Sequence, residues 1–259
     1  MKFYKKNISS MSEYLAEISA IGKGRSEPLW YRGIGKLTHT LSPSLFRHKF
    51  ILDNKGLASL EKDLINRFKE RALPYINNAS DNNWYWTFLM QHYGMPTRLL
   101  DWSENPFVSM YFALYSSPDD ADCAVWTLKP DEWNRTVLNF QGYSGGILST
   151  SSEQVKNLSP PAEIENCPDF SLAIYGAHNS PRIVAQRGVF VIFGQKKLSM
   201  EDYHDKRQDF SDKVLCRLVI KKSDKRKMME ELTRHGFTES MVFPDLDGLS
   251  REIKRQFNF

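Results

Sequence analysis

The stretch "MQHYGMPTRLLDW", Met90 to Trp102, decides how the chain is read. Before it, "NNWYWTFLMQHYG" is aromatic on several faces and reads as a well-buried helix. Gly94 is its C-terminal stop, and Pro96 prevents continuation. After it, "TRLLDW" is short, extended and apolar at alternate positions. Asn105-Pro106 then forms an N-cap and first-turn pair. It opens "FVSMYFALYSS", a helix with almost no charge, which must be central. One tight turn therefore holds His92, Arg98 and Asp101, and packing alone does not ask for that set.

The rest of the sequence frames this turn. A length of 259 residues allows one large domain or two small ones. Hydrophobic residues at 41% and charged residues at 25% are ordinary for a chain that buries a core. Aromatics at 13% are abundant, and they supply both buried area and flat surfaces on which a ring can stack. A net charge of +4 suits a polyanionic partner, but falls short of the basic footprint of a dedicated nucleic-acid-binding domain. Cys123, Cys167 and Cys216 are far apart and form no CxxC or Cys/His cluster. They read as reduced, buried thiols, so neither a disulfide scaffold nor a metal site is expected. "MKFYKKNISSMSEYL" lacks the apolar core of a signal peptide, and no run approaches a membrane span. The expectation is a cytoplasmic protein without a membrane partner.

Other elements follow from local pattern. "SSMSEYLAEISAIGKG" is a helix with a capping box from Ser10 to Glu13 and stops at Gly22 and Gly24. "PLWYRGIG" is a short buried strand. "LTHTLSPSLFR" is an irregular loop, and "GLASLEKDLINRFKERALPYI" a helix ended by Pro74. "CAVWTLKP", "RIVAQRGVFVIFG" and "VLCRLVIKK" are strands. "LSTSSEQVKNLSPPAEIENCPDF" is a long surface excursion. "SDKRKMMEELTRHG", capped by Ser223 and closed by Gly236, and "DLDGLSREIKRQF" are late helices. Strands at irregular separations with helices early and late predict one α+β domain rather than a regular βαβ array. Residues 1–28 are expected to pack a helix on the core formed by 29–259.

No Walker A loop, GxGxxG, HExxH or GxSxG occurs. Four polar constellations sit in apolar surroundings instead: Tyr31-Arg32-Gly33, His92 to Asp101, Arg182 to Gly188, and Pro244 to Gly248. An arginine at the end of "LWYR" is costly to bury unpaired, and its fork suits a phosphate or carboxylate. The alternative is an ion pair of Arg32 with Asp101. Gly33 lets a ligand or another backbone approach. His92 either serves its helix end or does more. Arg98 faces a cleft or solvent. Gln186 is a polar side chain before an apolar strand, and a buried amide needs partners.

The segments "LWYRG", "LSPSLFR", "MQHYGMPTRLLDWSENPFVSMYFAL", "RIVAQRGVF" and "VFPDLDGL", in that order from about Leu29 to Leu249, together resemble the FRG domain, named for a Phe/Tyr-Arg-Gly motif. That domain is similar in motif layout to the ADP-ribosyltransferase superfamily. The resemblance implies a split β-sheet with a cleft for NAD⁺ as co-substrate, flanked by helices. It matches Arg32 to the first-strand arginine that holds NAD⁺, and Thr97 to the Ser/Thr of the second motif, with "NPFVSMYFAL" as the helix behind. "STS" at Ser149 to Ser151 is a decoy, followed by polar residues. Gln186 stands where the glutamate of the third motif is sought. A glutamine can hydrogen-bond a ribose hydroxyl but is no base, so Asp101 or Asp245 would supply an acid, or the cleft would work by positioning and cationic groups. The implied catalytic set is Arg32, His92, Asp101 and Gln186. The implied NAD⁺-binding set is Tyr31, Arg32, Gly33, Thr97 and Arg98, with His92, Arg98 and Asp101 at the cleft lip. The implied activity is ADP-ribosylation of a macromolecule by a bacterial or phage-defence toxin, with an antitoxin protein as a partner. Nucleic acid, RNA included, is favoured over protein by the mild positive charge and "KKSDKRK", Lys221 to Lys227. NAD⁺ hydrolysis and a non-catalytic nucleotide- or protein-binding module are the alternatives.

Overall fold

The computed structural model describes residues 3–49, 53–76, 80–161, 163, 167–177 and 180–259. Its strands are β1 (Tyr4–Ile8), β2 (Trp30–Ile34), β3 (Leu99–Ser103), β4 (Cys123–Leu128), β5 (Ser171–Ile174), β6 (Gly188–Phe193) and β7 (Leu215–Ile220). Its helices are α1 (Met11–Gly22), α2 (Asn54–Ala72), α3 (Asn83–His92), α4 (Pro106–Tyr115), α5 (Pro130–Val137), α6 (Pro181–Ala185), α7 (Met200–Asp205), α8 (Lys225–Arg234), α9 (Glu239–Val242) and α10 (Leu246–Gln256).

Among the described residues the strands form one mixed sheet in the order β1-β7-β4-β2-β3-β6-β5, parallel only between β1 and β7. Every residue of β4 is buried. Side chains alternate across a strand, so Ala124, Trp126 and Leu128 enter one core cluster while Cys123 and Val125 enter the other. The first face is covered through Leu57 of α2, Trp84 and Phe88 of α3, and Trp133 of α5. The second is covered through Tyr14 of α1, Met110 and Tyr111 of α4, and Met228 of α8. A sheet buried on both faces explains the near-continuous apolar runs of β4, β6 and β7. The α+β class read from sequence is the class formed.

α4 begins where Asn105 Oδ1 accepts hydrogen bonds from the backbone N–H of Phe107 (3.0 Å) and Val108 (3.4 Å), with Pro106 in the first turn. The helix lies directly against β2. A Cβ on Gly33 would stand 2.1 Å from the Ser109 carbonyl oxygen and 2.5 Å from the Ala113 nitrogen. Gly33 thus permits the close approach of the α4 backbone, and it also lines a cavity beside β2.

Several elements differ from expectation. β1 was not anticipated because "YKKNI" is polar, as befits an exposed sheet edge, where lysines discourage pairing with another chain. The N-terminal segment thus adds a strand to the common sheet as well as a helix. "RIVAQRGVFVIFG" is a helical turn followed by a strand: Ser180 caps α6 and Pro181 opens it, repeating the device at Asn105-Pro106. The excursion after Leu148 contributes Val155 and Leu158 to the core. The short elements α5, β5 and α7 escaped the pattern reading. α8 is preceded by Asp224 rather than capped by Ser223. In the capping box of α1, Glu13 accepts from the Ser9 N–H (2.7 Å) while Ser10 accepts from the Glu13 N–H (3.2 Å).

β2 and β3 pair at one position, Tyr31 with Ser103, whereas β2 pairs with β4 along its full length. The expected split sheet is thus one sheet that narrows to a single pair at its middle.

Gly33→Ala is expected to destabilise the protein by about 3 kcal/mol, since overpacking against backbone cannot be relieved by a rotamer change. Gly146, where an added methyl meets nothing, is the control: Gly146→Ala is expected to stay within about 0.5 kcal/mol. Urea unfolding midpoints of the two variants decide this.

Candidate functional site

The turn at Met90 to Trp102 is built by main-chain chemistry. Gly94 adopts φ +73°, and the N–H groups of Met95 and Gly94 bond the carbonyls of Met90 (2.9 Å) and Gln91 (3.0 Å). This is a Schellman ending, and it closes α3 ahead of β3. In β3, the Arg98 carbonyl accepts from Phe193 N–H, and Glu104 N–H donates to the Arg187 carbonyl. Backbone groups of the even-numbered residues thus face β6, and those of Leu99, Asp101 and Ser103 face β2.

Beyond Tyr31–Ser103 no ladder continues, and the Arg32 guanidinium crosses the gap to donate from Nη1 to the Asp101 carbonyl. The bond expected between Arg32 and Asp101 thus exists, but to the main chain. Arg32 Nε is sealed from solvent and has no hydrogen-bond partner. Burial pushes the Arg32 pKa down; the Asp101 carboxylate opposes this and Arg47 adds to it. The half-buried guanidinium is thus held close to one carboxylate and one further cation.

Two adjoining cavities open around this gap, of about 260 and 490 Å³, and they share Arg32, Gln91, His92, Asp101 and Arg182. Together they reach the volume range of small-molecule sites, roughly 300–1,000 Å³. The inner cavity has aromatic walls, including Tyr31, Phe88, Phe112 and Phe190. The outer one adds Arg47 and Tyr93. Asp101 is the one carboxylate among the described lining residues.

Asp101 is exposed in this cleft, and its Oδ2 accepts from Gln91 Nε2 at 2.8 Å. Gln91 is oriented in turn by Thr97, whose hydroxyl donates to Gln91 Oε1 and accepts from Leu99 N–H at 3.0 Å. Thr97 is buried and lines neither cavity, so it positions a cleft residue instead of meeting a ligand. Gln91 itself was missed in sequence. Its position one residue before His92, on the last turn of the same helix, was the available signal.

Arg98 departs furthest from expectation. It is 5% exposed and points into the core, away from the cleft lip. Its Nε donates to Glu61 (2.8 Å), its Nη2 to the Leu158 carbonyl (2.8 Å) and its Nη1 to the Phe193 carbonyl. It ties α2 and the 153–158 turn to the end of β6. Asp245 caps α10 by accepting from Gly248 N–H at 2.7 Å, so it supplies no acid to the cleft. Lys225 is buried against the Pro118 carbonyl (2.6 Å) and ties down the start of α8, while the other cations of "KKSDKRK" are exposed, Lys221 paired with Asp122 (3.3 Å). Ser149, Ser151 and Ser152 bond one another and line neither cavity.

His92 and Gln186 do reach the cleft. Gln186 ends α6; its Nε2 donates to the Val242 carbonyl at 2.9 Å, and its own carbonyl accepts from Ser103 Oγ at 2.6 Å. His92 Nδ1 lies 3.4 Å from Ser180 Oγ. Burial, and then the neighbouring Arg182, lower the His92 pKa, so the ring is neutral at pH 7. Burial holds the Tyr31 phenol up at about 12, so it stays protonated. Arg182 stacks on Phe243 at 4.9 Å. Arg182 belongs to a constellation singled out in sequence, but Arg47, at the end of "LSPSLFR", was not anticipated; no local pattern says that a loop arginine will return to a cleft.

Residues 27–122 match the family model of the FRG domain. The matched segment runs from before β2 through α4 and carries Arg32, Gln91, His92 and Asp101. Arg182, Gln186 and the Pro244 to Gly248 segment lie beyond it. No curated protein and no solved structure matches the chain.

Two outcomes test this geometry. In an NMR titration His92 is expected to titrate below the ordinary imidazole value of about 6.5, and to move upward when pyrophosphate is added or when Arg182 is changed to Ala. Because the folded pKa is the lower one, the stability that neutral His92 contributes is present above about pH 6.5 and is lost as pH falls through the folded value. An unshifted His92 that ignores both changes would contradict the arrangement. Arg98→Met is expected to cost about 3–5 kcal/mol in chemical denaturation, because it removes the buried cation paired with Glu61 and a donor from each of two carbonyls. The His92 titration of the folded variant should be unchanged.

Proposed function

We propose that the cleft between β2 and β3 binds NAD⁺ and that the protein transfers ADP-ribose from it to a macromolecule. The observation that carries this reading is the junction of two chemistries at Arg32 and Asp101. An aromatic cavity meets a cationic one lined by Arg32, Arg47 and Arg182. A dinucleotide has both parts: flat rings that suit aromatic walls, and a pyrophosphate that suits guanidinium forks. The Arg32 guanidinium, which lines both cavities, supplies a donor for the latter. The match to the FRG domain, and that domain's similarity in motif layout to ADP-ribosyltransferases, support the same reading.

The chemistry asks little covalent help. The bond between nicotinamide nitrogen and ribose C1′ breaks, nicotinamide leaves with the electron pair as a neutral molecule, and the sugar becomes an oxocarbenium ion. Asp101, held by Gln91, stabilises that cation as carboxylates do in glycoside cleavage. An acceptor nucleophile then forms the new bond to C1′ and gives its proton to His92, which is neutral and able to take it. Gln186, whose Nε2 is bound to Val242 and whose main-chain carbonyl is bound by Ser103, retains its side-chain Oε1 for a ribose hydroxyl. No glutamate is needed in its place if Asp101 carries the electrostatic role. The preference for a nucleic-acid acceptor over protein rests on the cations of the cleft rim, Arg47 and Arg182, which suit a phosphate backbone.

Purified protein incubated with adenylate-labelled NAD⁺ and cellular RNA, DNA and protein tests this. Nicotinamide release with label in one macromolecular fraction is expected. Free ADP-ribose alone would assign hydrolysis, and no nicotinamide with any acceptor would leave a binding module. Arg32→Ala is expected to lower nicotinamide release by at least about 100-fold in a variant that stays folded, its melting temperature reduced by the lost bond to the Asp101 carbonyl. Full activity in that variant would end the cleft assignment.

A further inference from the structure

α10 is an amphipathic helix turned inside out. Leu246, Leu249, Ile253 and Phe257 recur at the spacing of a single helical stripe, and all are exposed; Leu246 is 82% and Phe257 69% accessible. The polar face is the one that packs on the protein. Glu252 accepts from the Ser240 N–H (3.1 Å), Arg255 pairs with Glu239 (2.9 Å), and Arg251 lies over the Phe243 ring at 4.8 Å. Gly248, the buried residue of the helix, would place a Cβ 2.0 Å from the Phe243 carbonyl oxygen, so the seating is tight and specific. A helix that spends its charges inward and leaves its apolar stripe outward has a missing neighbour.

Charge identifies that neighbour. Asp247 and Lys254 are exposed and flank the stripe on one side, two turns or roughly 10 Å apart along the axis. A second copy laid antiparallel by a two-fold rotation keeps left and right and exchanges the two ends. It sets each Asp247 beside the partner's Lys254, and each Leu249 near the partner's Ile253. A parallel copy would set the Asp247 and Lys254 flank against the partner's opposite flank, that of Glu252 and Gln256, and so leave this charge pairing unmade. A membrane-surface helix would carry free cations along its polar face, but here Arg251 lies over Phe243, Arg255 is paired with Glu239, and Asp247 remains at the rim.

We propose that two copies of this chain associate through α10, antiparallel and two-fold symmetric. A pair of short helices buries less than a standard interface of about 1,600 Å², so the dimer is of the weak, concentration-dependent class. The NAD⁺ assignment is not involved.

Sedimentation velocity of the full chain from micromolar to millimolar concentration tests this. The expected result is a monomer–dimer equilibrium. Leu249→Asp combined with Ile253→Asp should leave a folded monomer, as the altered side chains are exposed. Asp247→Lys alone should weaken association about tenfold, and adding Lys254→Asp should restore it. A monomer at every concentration, a dimer that survives the two apolar replacements, or a charge exchange without recovery would each overturn the proposal. So would a chain that stays monomeric while binding anionic phospholipid vesicles through the stripe.

Discussion

The single ladder pair between Tyr31 and Ser103 governs the rest of the molecule. On one side of it, β2 is held along its length by β4 and pressed by α4 at a glycine. On the other, β3 is held along its length by β6. Between them the two halves of the sheet diverge, and a diverging pair of strands leaves backbone groups to satisfy. Arg32 answers one of these by giving a side-chain donor to the Asp101 carbonyl. The same residue that closes the seam therefore stands at the bottom of the opening that the seam creates.

Around this opening, packing and reactivity are separated by a small number of residues. Thr97 and Arg98 follow one another, yet Thr97 fixes the amide of Gln91 and Arg98 enters the core to bind Glu61 and two carbonyls. The next polar residue, Asp101, emerges into the cleft. One short stretch thus serves a structural clamp, a positioning relay and a carboxylate. The cost of burying Arg98 is offset only because each of its nitrogens meets an acceptor or the Cys167 sulfur.

The C-terminal helices add a second theme. They are attached to the cleft by Gln186, bonded to Val242, and by Arg182, stacked on Phe243. The inner contacts of α10 are ionic and aromatic, and its apolar surface is turned outward. A shared ring at Phe243 links the arginine of the cleft rim to the arginine under α10.

The sequence by itself determined the α+β class, the long helices, the turn at Gly94-Pro96, the Asn105-Pro106 start of α4 and the grouping of Arg32, His92 and Asp101. The first four rest on local physics: apolar period, capping side chains, or the fixed φ of proline; the grouping of Arg32 with His92 and Asp101 rests on the resemblance to the FRG domain. The tertiary structure decided which polar residues of the turn face the cleft. It placed Arg98 inside, gave Gly33 to α4, made Asp245 a cap, and brought Arg47, Arg182 and Gln91 to Asp101. Those outcomes depend on which strands pair and where the pairing stops, a long-range matter that no window of sequence contains. The polar edge strand β1 was hidden for the same reason, since its place is fixed by its partner β7 and not by its own composition.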